Sequence, residues 1–67
     1  MVKKINMFYM DKCEELIDYI YKHHLEDSEE ELLKQLIDIR TQLRFNKSLD
    51  DYLLRRFWRC YDETYKV

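Results

Sequence analysis

The residues best suited to chemistry lie close together in the segment 54–61, LRRFWRCY. Its three arginines carry planar guanidinium groups that suit phosphate, and its tryptophan ring can stack on a nucleobase. Two further arginines precede it on another predicted helix. Together they define a candidate site for an anionic ligand, either a nucleic acid or a nucleotide: Arg40, Arg44, Arg55, Arg56 and Arg59, with Trp58 as the stacking ring.

A structural explanation for the same arginines is favoured. On a helix, Asp51 and Arg55 are spaced i,i+4, as are Arg59 and Glu63, and this spacing brings opposite charges together. The chain has a net charge of −2 and a pI of about 5.6, whereas duplex-binding domains usually show an unopposed basic face. We therefore expect a ladder of ion pairs along this helix, with ligand binding as the alternative.

The other candidates for chemistry are two histidines and two cysteines. His23 and His24 are adjacent, so on a helix their side chains diverge by about 100° and do not share a metal ion. Cys13 and Cys60 fall on predicted apolar helix faces, which favours two buried, reduced thiols over a disulfide or a nucleophile. We expect no catalytic residue, no metal site and no cofactor, and hence no enzyme.

The composition favours helices. The chain has 67 residues, of which 46% are hydrophobic and 39% charged, and it contains no glycine and no proline. Tight β-hairpin turns depend heavily on glycine, so its absence argues against a sheet. The length is that of one domain with a marginal core. The longest uncharged run is six residues, 5–10, far short of the roughly 20 that span a membrane.

Apolar residues recur every three or four positions and predict helices at about 6–24, 29–44 and 49–65. The start signals are capping residues followed by an acid: Asn6, or Asp11 with Glu14; Ser28 with Glu31; Ser48 with Asp51. The predicted core stripes are Tyr9, Cys13, Leu16, Ile17, Ile20 and His24 on the first helix; Leu32, Leu33, Leu36, Ile39 and Leu43 on the second; and Leu49, Leu53, Phe57, Cys60, Tyr61 and Thr64 on the third.

These elements predict an all-α fold, a small three-helix bundle with short linkers that is completed by homo-oligomerisation. The apolar arc of the third helix is wider than a monomer of this size requires. Several large apolar side chains also lie off the core stripes and would leave an exposed patch on a monomer. The candidate interaction residues are Phe8, Tyr19, Ile37, Trp58 and Tyr65.

The function predicted from these observations is a non-enzymatic protein–protein interaction module. We expect it to form a homodimer and to bind another protein, with no membrane partner. Small, highly charged chains without glycine can serve as phage or mobile-element proteins that inhibit or regulate a host protein. The short apolar runs and the lack of a signal-peptide pattern predict the cytoplasm of a bacterium or of an infected host cell. Residues 11–31 contain nine acids against two lysines, and residues 40–59 contain six basic residues against two aspartates. This asymmetry would attract charged surfaces to each other.

Overall fold

Three helices make up the structure, a computed structural model that describes residues 3–45 and 48–66. They are α1 (Lys4–Lys22), α2 (Glu30–Arg44) and α3 (Asp51–Lys66), and these described ranges contain no strand. Each helix packs against both of the others. The predicted all-α, three-helix bundle is confirmed, and the helix ends differ from the predicted ones by at most two residues.

Contacts between α1 and α2 show that these helices are antiparallel. Near the start of α1, the side-chain amide of Asn6 donates a hydrogen bond of 3.1 Å to the carbonyl of Leu43, near the end of α2. Further along α1, the Oε1 atom of Glu14 lies 3.3 Å from Nη1 of Arg40. As residue numbers rise along α1, the numbers of the residues that they contact on α2 fall, as expected for antiparallel helices.

Ring contacts show that α3 runs parallel to α1. Early in α1, Tyr9 packs against Phe57 and Trp58 of α3. Late in α1, Tyr19 packs against Tyr65, near the end of α3. The contacts therefore advance in the same direction along both helices, and the bundle has an up-down-up arrangement.

The core consists of one stripe from each helix, as the apolar spacing predicts. All five predicted residues of α2 are buried, and most of those on α1 and α3 are too. Tyr9, Leu49 and Tyr61 are partly buried and pack against the core, whereas His24 is exposed because α1 ends before it. The buried apolar residues are Cys13, Leu16, Ile17, Ile20, Leu32, Leu33, Leu36, Ile39, Leu43, Leu53, Phe57 and Cys60.

Both cysteines are free and buried, which confirms the prediction of two reduced thiols. Burial raises the pKa of Cys13 to about 12, with a smaller contribution from Cys60. Burial is also the main cause that raises the pKa of Cys60. Because the thiolate is the reactive form, both residues behave as small apolar side chains at neutral pH.

Asn6 does not begin α1, in contrast to one of its predicted roles. The helix begins at Lys4, so Asn6 lies in the first turn, where its side chain is fully buried. The last four carbonyl groups of any helix lack partners within that helix. The bond from Asn6 to the Leu43 carbonyl satisfies one of these groups in α2.

The predicted start signals of α1 and α2 are also wrong. Lys3 and Glu29 occupy the N-cap positions, and neither makes a capping bond through its side chain. The hydroxyl of Ser28 instead donates to the carbonyl of Leu25 at 3.3 Å. The Glu29 backbone amide donates to the same carbonyl at 2.8 Å, so the linker is a run of turns that ends one residue beyond Ser28.

The start of α3 has a side-chain cap, but from Asp50 and not from Ser48. The Asp50 carboxylate accepts a hydrogen bond of 2.9 Å from the backbone amide of Leu53, three residues on. This is the bond that an N-cap aspartate makes, and its negative charge also suits the positive end of the helix dipole.

The end of α1 is a Schellman motif built without glycine. The backbone amide of Leu25 donates to the carbonyl of Ile20 at 2.8 Å, and that of His24 donates to Tyr21 at 3.1 Å. A Schellman motif requires a left-handed backbone conformation at the residue just before Leu25. That residue is His24, and its φ is 56°. Glycine is the usual residue at this position because a Cβ atom makes the left-handed conformation costly.

Replacing His24 by glycine should therefore stabilise the protein, by about 1 kcal/mol. The side chain is exposed, so little packing is lost. The matched control is His24→Ala, which removes the imidazole but keeps the Cβ atom and should give no gain. Urea unfolding followed by circular dichroism measures both changes. Equal stability of the two variants would show that φ at position 24 carries no cost.

Candidate functional site

Aromatic rings form a continuous surface along the face shared by α1 and α3. Adjacent ring centroids are 4.2 to 6.2 Å apart, mostly in edge-to-face geometry. Such pairs are worth about 0.5–1.5 kcal/mol beyond the area that they bury. We name this surface the aromatic strip, and it consists of Phe8, Tyr9, Trp58, Tyr61, Tyr65, Tyr19 and His23.

The aromatic strip rests on the core through Phe57. That ring is buried and lies 5.0 Å from the rings of both Tyr9 and Trp58, and 6.3 Å from that of Tyr61. The outer rings remain open to solvent: Trp58 is 46% exposed. The strip is thus an exposed apolar surface whose rings pack against the buried Phe57 ring and against one another.

One cation at the Phe8 end of the strip, Lys12, is paired with a carboxylate. Lys12 Nζ lies 5.7 Å from the centroid of the Phe8 ring and 3.3 Å from a carboxylate oxygen of Glu15. A cation above a ring face is attracted by the ring quadrupole. Because Glu15 offsets the charge of Lys12, this end of the strip offers little electrostatic repulsion to an approaching surface.

Four of the five predicted interaction residues belong to the strip: Phe8, Tyr19, Trp58 and Tyr65. Ile37 does not, because it lies on α2, which contributes no ring to the strip; its side chain is 39% exposed. Tyr9 and Tyr61 also belong to the strip, although their spacing predicts core positions; both are partly buried and pack against the core. The spacing of Trp58, Tyr61 and Tyr65, which follows one helix face, was the signal in the sequence for this part of the strip.

The opposite flank of α3 faces α2 across a groove of about 480 Å³. We name it the arginine groove. Arg55, Arg56 and Arg59 line it together with Gln35 and Tyr52. Leu32 and Cys60 form its apolar wall, and Glu31 and Glu63 form its acidic rim.

Arg56 is fixed within this groove. Its Nη1 atom lies 2.9 Å from Oδ2 of Asp38, and its Nε atom donates to the side-chain carbonyl of Gln35 at 3.2 Å. Its guanidinium also lies 5.7 Å from the ring centroid of Tyr52. The charge of Arg56 is thus used to join α2 to α3.

The predicted ladder of ion pairs on α3 is not formed. Within residues 3–45 and 48–66, neither Asp51 with Arg55 nor Arg59 with Glu63 makes an ion pair, and neither arginine makes another one. Exposed pairs of this type are worth little, since solvent screens them and long side chains lose entropy when they are held. Arg55 and Arg59 therefore keep their hydrogen-bond donors available.

The predicted site of five arginines and one tryptophan is divided among separate places. Arg40 bridges α2 to Glu14 of α1, and Arg44 is exposed in the last turn of α2. Trp58 belongs to the aromatic strip and is not among the residues that line the arginine groove. The combined Arg/Trp face expected on this helix is thus two surfaces on opposite flanks of α3.

Nowhere in the described ranges do three His, Cys, Asp or Glu side chains converge in a geometry that could hold a metal ion. None of the helices in this part of the chain combines the length and the apolar composition needed to cross a bilayer. Comparisons of the chain with protein-family models, with curated proteins and with solved structures give no match.

Proposed function

We propose that this protein is a small, non-enzymatic protein–protein interaction module that forms a homodimer through the aromatic strip. The observation that carries the proposal is the strip itself, a line of touching rings in which Phe8, Trp58 and Tyr65 are about half exposed. Aromatic side chains are enriched at protein interfaces, and rigid, well-packed ones contribute most of the binding energy.

A second copy of the chain suits this surface. In a symmetric dimer the same patch faces itself, so rings from one protomer would meet rings from the other. The exposed surface of the protein is 4979 Å², and a standard interface of about 800 Å² per partner would cover roughly one sixth of it. A chain this short gains from such burial, because its own core is small.

We extend the proposal to a different protein, which the assembled module would bind as an inhibitor or regulator in a bacterial or infected-cell cytoplasm. Residues 11–31 are predominantly acidic and residues 40–59 predominantly basic, so the chain has charge of both signs to offer such a partner. Charged groups at an interface steer association and suppress wrong partners more than they add affinity.

Sedimentation at micromolar concentration should show a dimer, and Tyr65→Lys should shift it towards the monomer. A lysine ammonium in the centre of an aromatic interface loses its hydration without gaining a partner, so the dissociation constant should rise by roughly tenfold or more. The fluorescence of Trp58 should move to longer wavelength as the dimer dissociates.

The matched control is Tyr21→Lys. Tyr21 is 51% exposed, against 50% for Tyr65, and makes no ring contact with the strip in the described residues. It should leave the sedimentation of the dimer unchanged. A wild-type monomer of 8.5 kDa, or equal effects of the two substitutions, would contradict the proposal.

A further inference from the structure

We propose that the arginine groove binds a small phosphate-bearing ligand, specifically a nucleotide. In this assignment Arg55 and Arg59 bind the phosphate and Tyr52 stacks on the base. The site lies on the flank of α3 opposite the aromatic strip, so it is independent of the dimer contact proposed above.

The two arginines are placed to act together. Arg55 and Arg59 are one helical turn apart on α3, so both side chains leave the helix on the same side. Both line the groove, and within the described residues neither makes an ion pair or a hydrogen bond. Guanidinium groups bind phosphate with two parallel hydrogen bonds, which makes a pair of unengaged arginines a suitable phosphate site.

A third arginine shapes the site without competing for the ligand. Arg56 is held by Asp38 and Gln35, and its guanidinium packs over Tyr52. This contact positions the tyrosine ring at the edge of the groove, where 68% of its surface is still exposed. An exposed ring held from one side is a platform on which a base can stack.

The size and the rim of the groove favour a single nucleotide over a nucleic acid chain. A volume of about 480 Å³ falls within the range of about 300–1,000 Å³ typical of small-ligand pockets. Glu31 and Glu63 also line the groove, so two of its five charged side chains would repel any phosphates beyond those that Arg55 and Arg59 bind. The same carboxylates can accept hydrogen bonds from the hydroxyl and amino groups of a nucleoside.

The test is isothermal titration calorimetry with three probes: ADP, inorganic phosphate and adenosine. We expect ADP to bind, phosphate to bind more weakly, and adenosine to give no measurable heat. Arg55→Ala combined with Arg59→Ala should weaken ADP binding by roughly tenfold or more, because two charged hydrogen-bond donors are lost. Tyr52→Ala should weaken the binding of ADP but not that of phosphate.

Arg44→Ala is the matched control, since it removes an exposed arginine outside the groove and should leave ADP binding unchanged. The double variant should keep its circular dichroism spectrum and its sedimentation, because neither arginine has a structural partner within the described residues. Absence of ADP binding, unchanged binding by the double variant, or tighter binding of single-stranded oligothymidine than of ADP would overturn the assignment.

Discussion

Phe57→Ala should leave the protein largely unfolded at room temperature. Removing a buried phenylalanine side chain costs about 3–5 kcal/mol, and in a chain of fewer than about 70–80 residues a single core rarely supplies more than about 3–5 kcal/mol of stability. Phe57 is 1% exposed and supports three rings of the aromatic strip, so the cavity would reach both the core and the surface. Circular dichroism and Trp58 fluorescence should both report the loss of structure.

The control for this change is Phe45→Ala. Phe45 follows α2 and is 78% exposed, so its removal should alter the free energy of unfolding by no more than about 0.5 kcal/mol. If the two alanine variants unfolded at the same urea concentration, Phe57 would not be the central ring of the core.

Leu36→Ala should have the second-largest effect, at about 2–5 kcal/mol. Leu36 has no exposed surface and lies near the middle of α2. This helix packs against both of the others and runs antiparallel to them. In a domain of this size, 1 kcal/mol lowers the melting temperature by about 4–8 °C, so a thermal melt resolves the change easily.

The neighbouring residue provides an internal comparison. Ile37 has a similar volume and the same helical context, but 39% of its surface is exposed. Ile37→Ala should therefore lower the melting temperature much less than Leu36→Ala. A similar drop for both would mean that the apolar stripe of α2 is assigned to the wrong face.

The helices and their buried faces could be predicted because burial imposes a period that is visible in the sequence. Leu32, Leu36, Ile39 and Leu43 recur at intervals that only a helix places on one side, and all of them are buried. The helix ends could not be predicted as well, because capping is local and several residues compete for it. Serine and aspartate both favour the N-cap position, so Ser48 and Asp50 are both candidates. Asp50 makes the capping bond because α3 begins at the next residue.

The candidate surfaces depend on how helices align, which no local pattern encodes. The spacing identified Phe8 and Tyr65 as apolar residues away from the core, but their membership of one surface follows from the parallel packing of α1 and α3. The i,i+4 rule likewise predicted that Arg55 would pair with Asp51. It does not, since in water such a pair gains too little to fix two long side chains.

The buried bond between Asn6 and Leu43 also bears on how the chain selects one fold. Contacts between leucine and isoleucine stripes do not by themselves fix how two helices align along their axes. If α1 were shifted along α2 by one turn, about 5.4 Å, apolar side chains would still contact apolar side chains. The Asn6 amide would then lose the Leu43 carbonyl, 37 residues away in sequence, at a cost of about 1–3 kcal/mol for the buried polar groups. Together with the Glu14–Arg40 ion pair, which joins the same two helices, this amide favours one register of the α1–α2 hairpin over its neighbours.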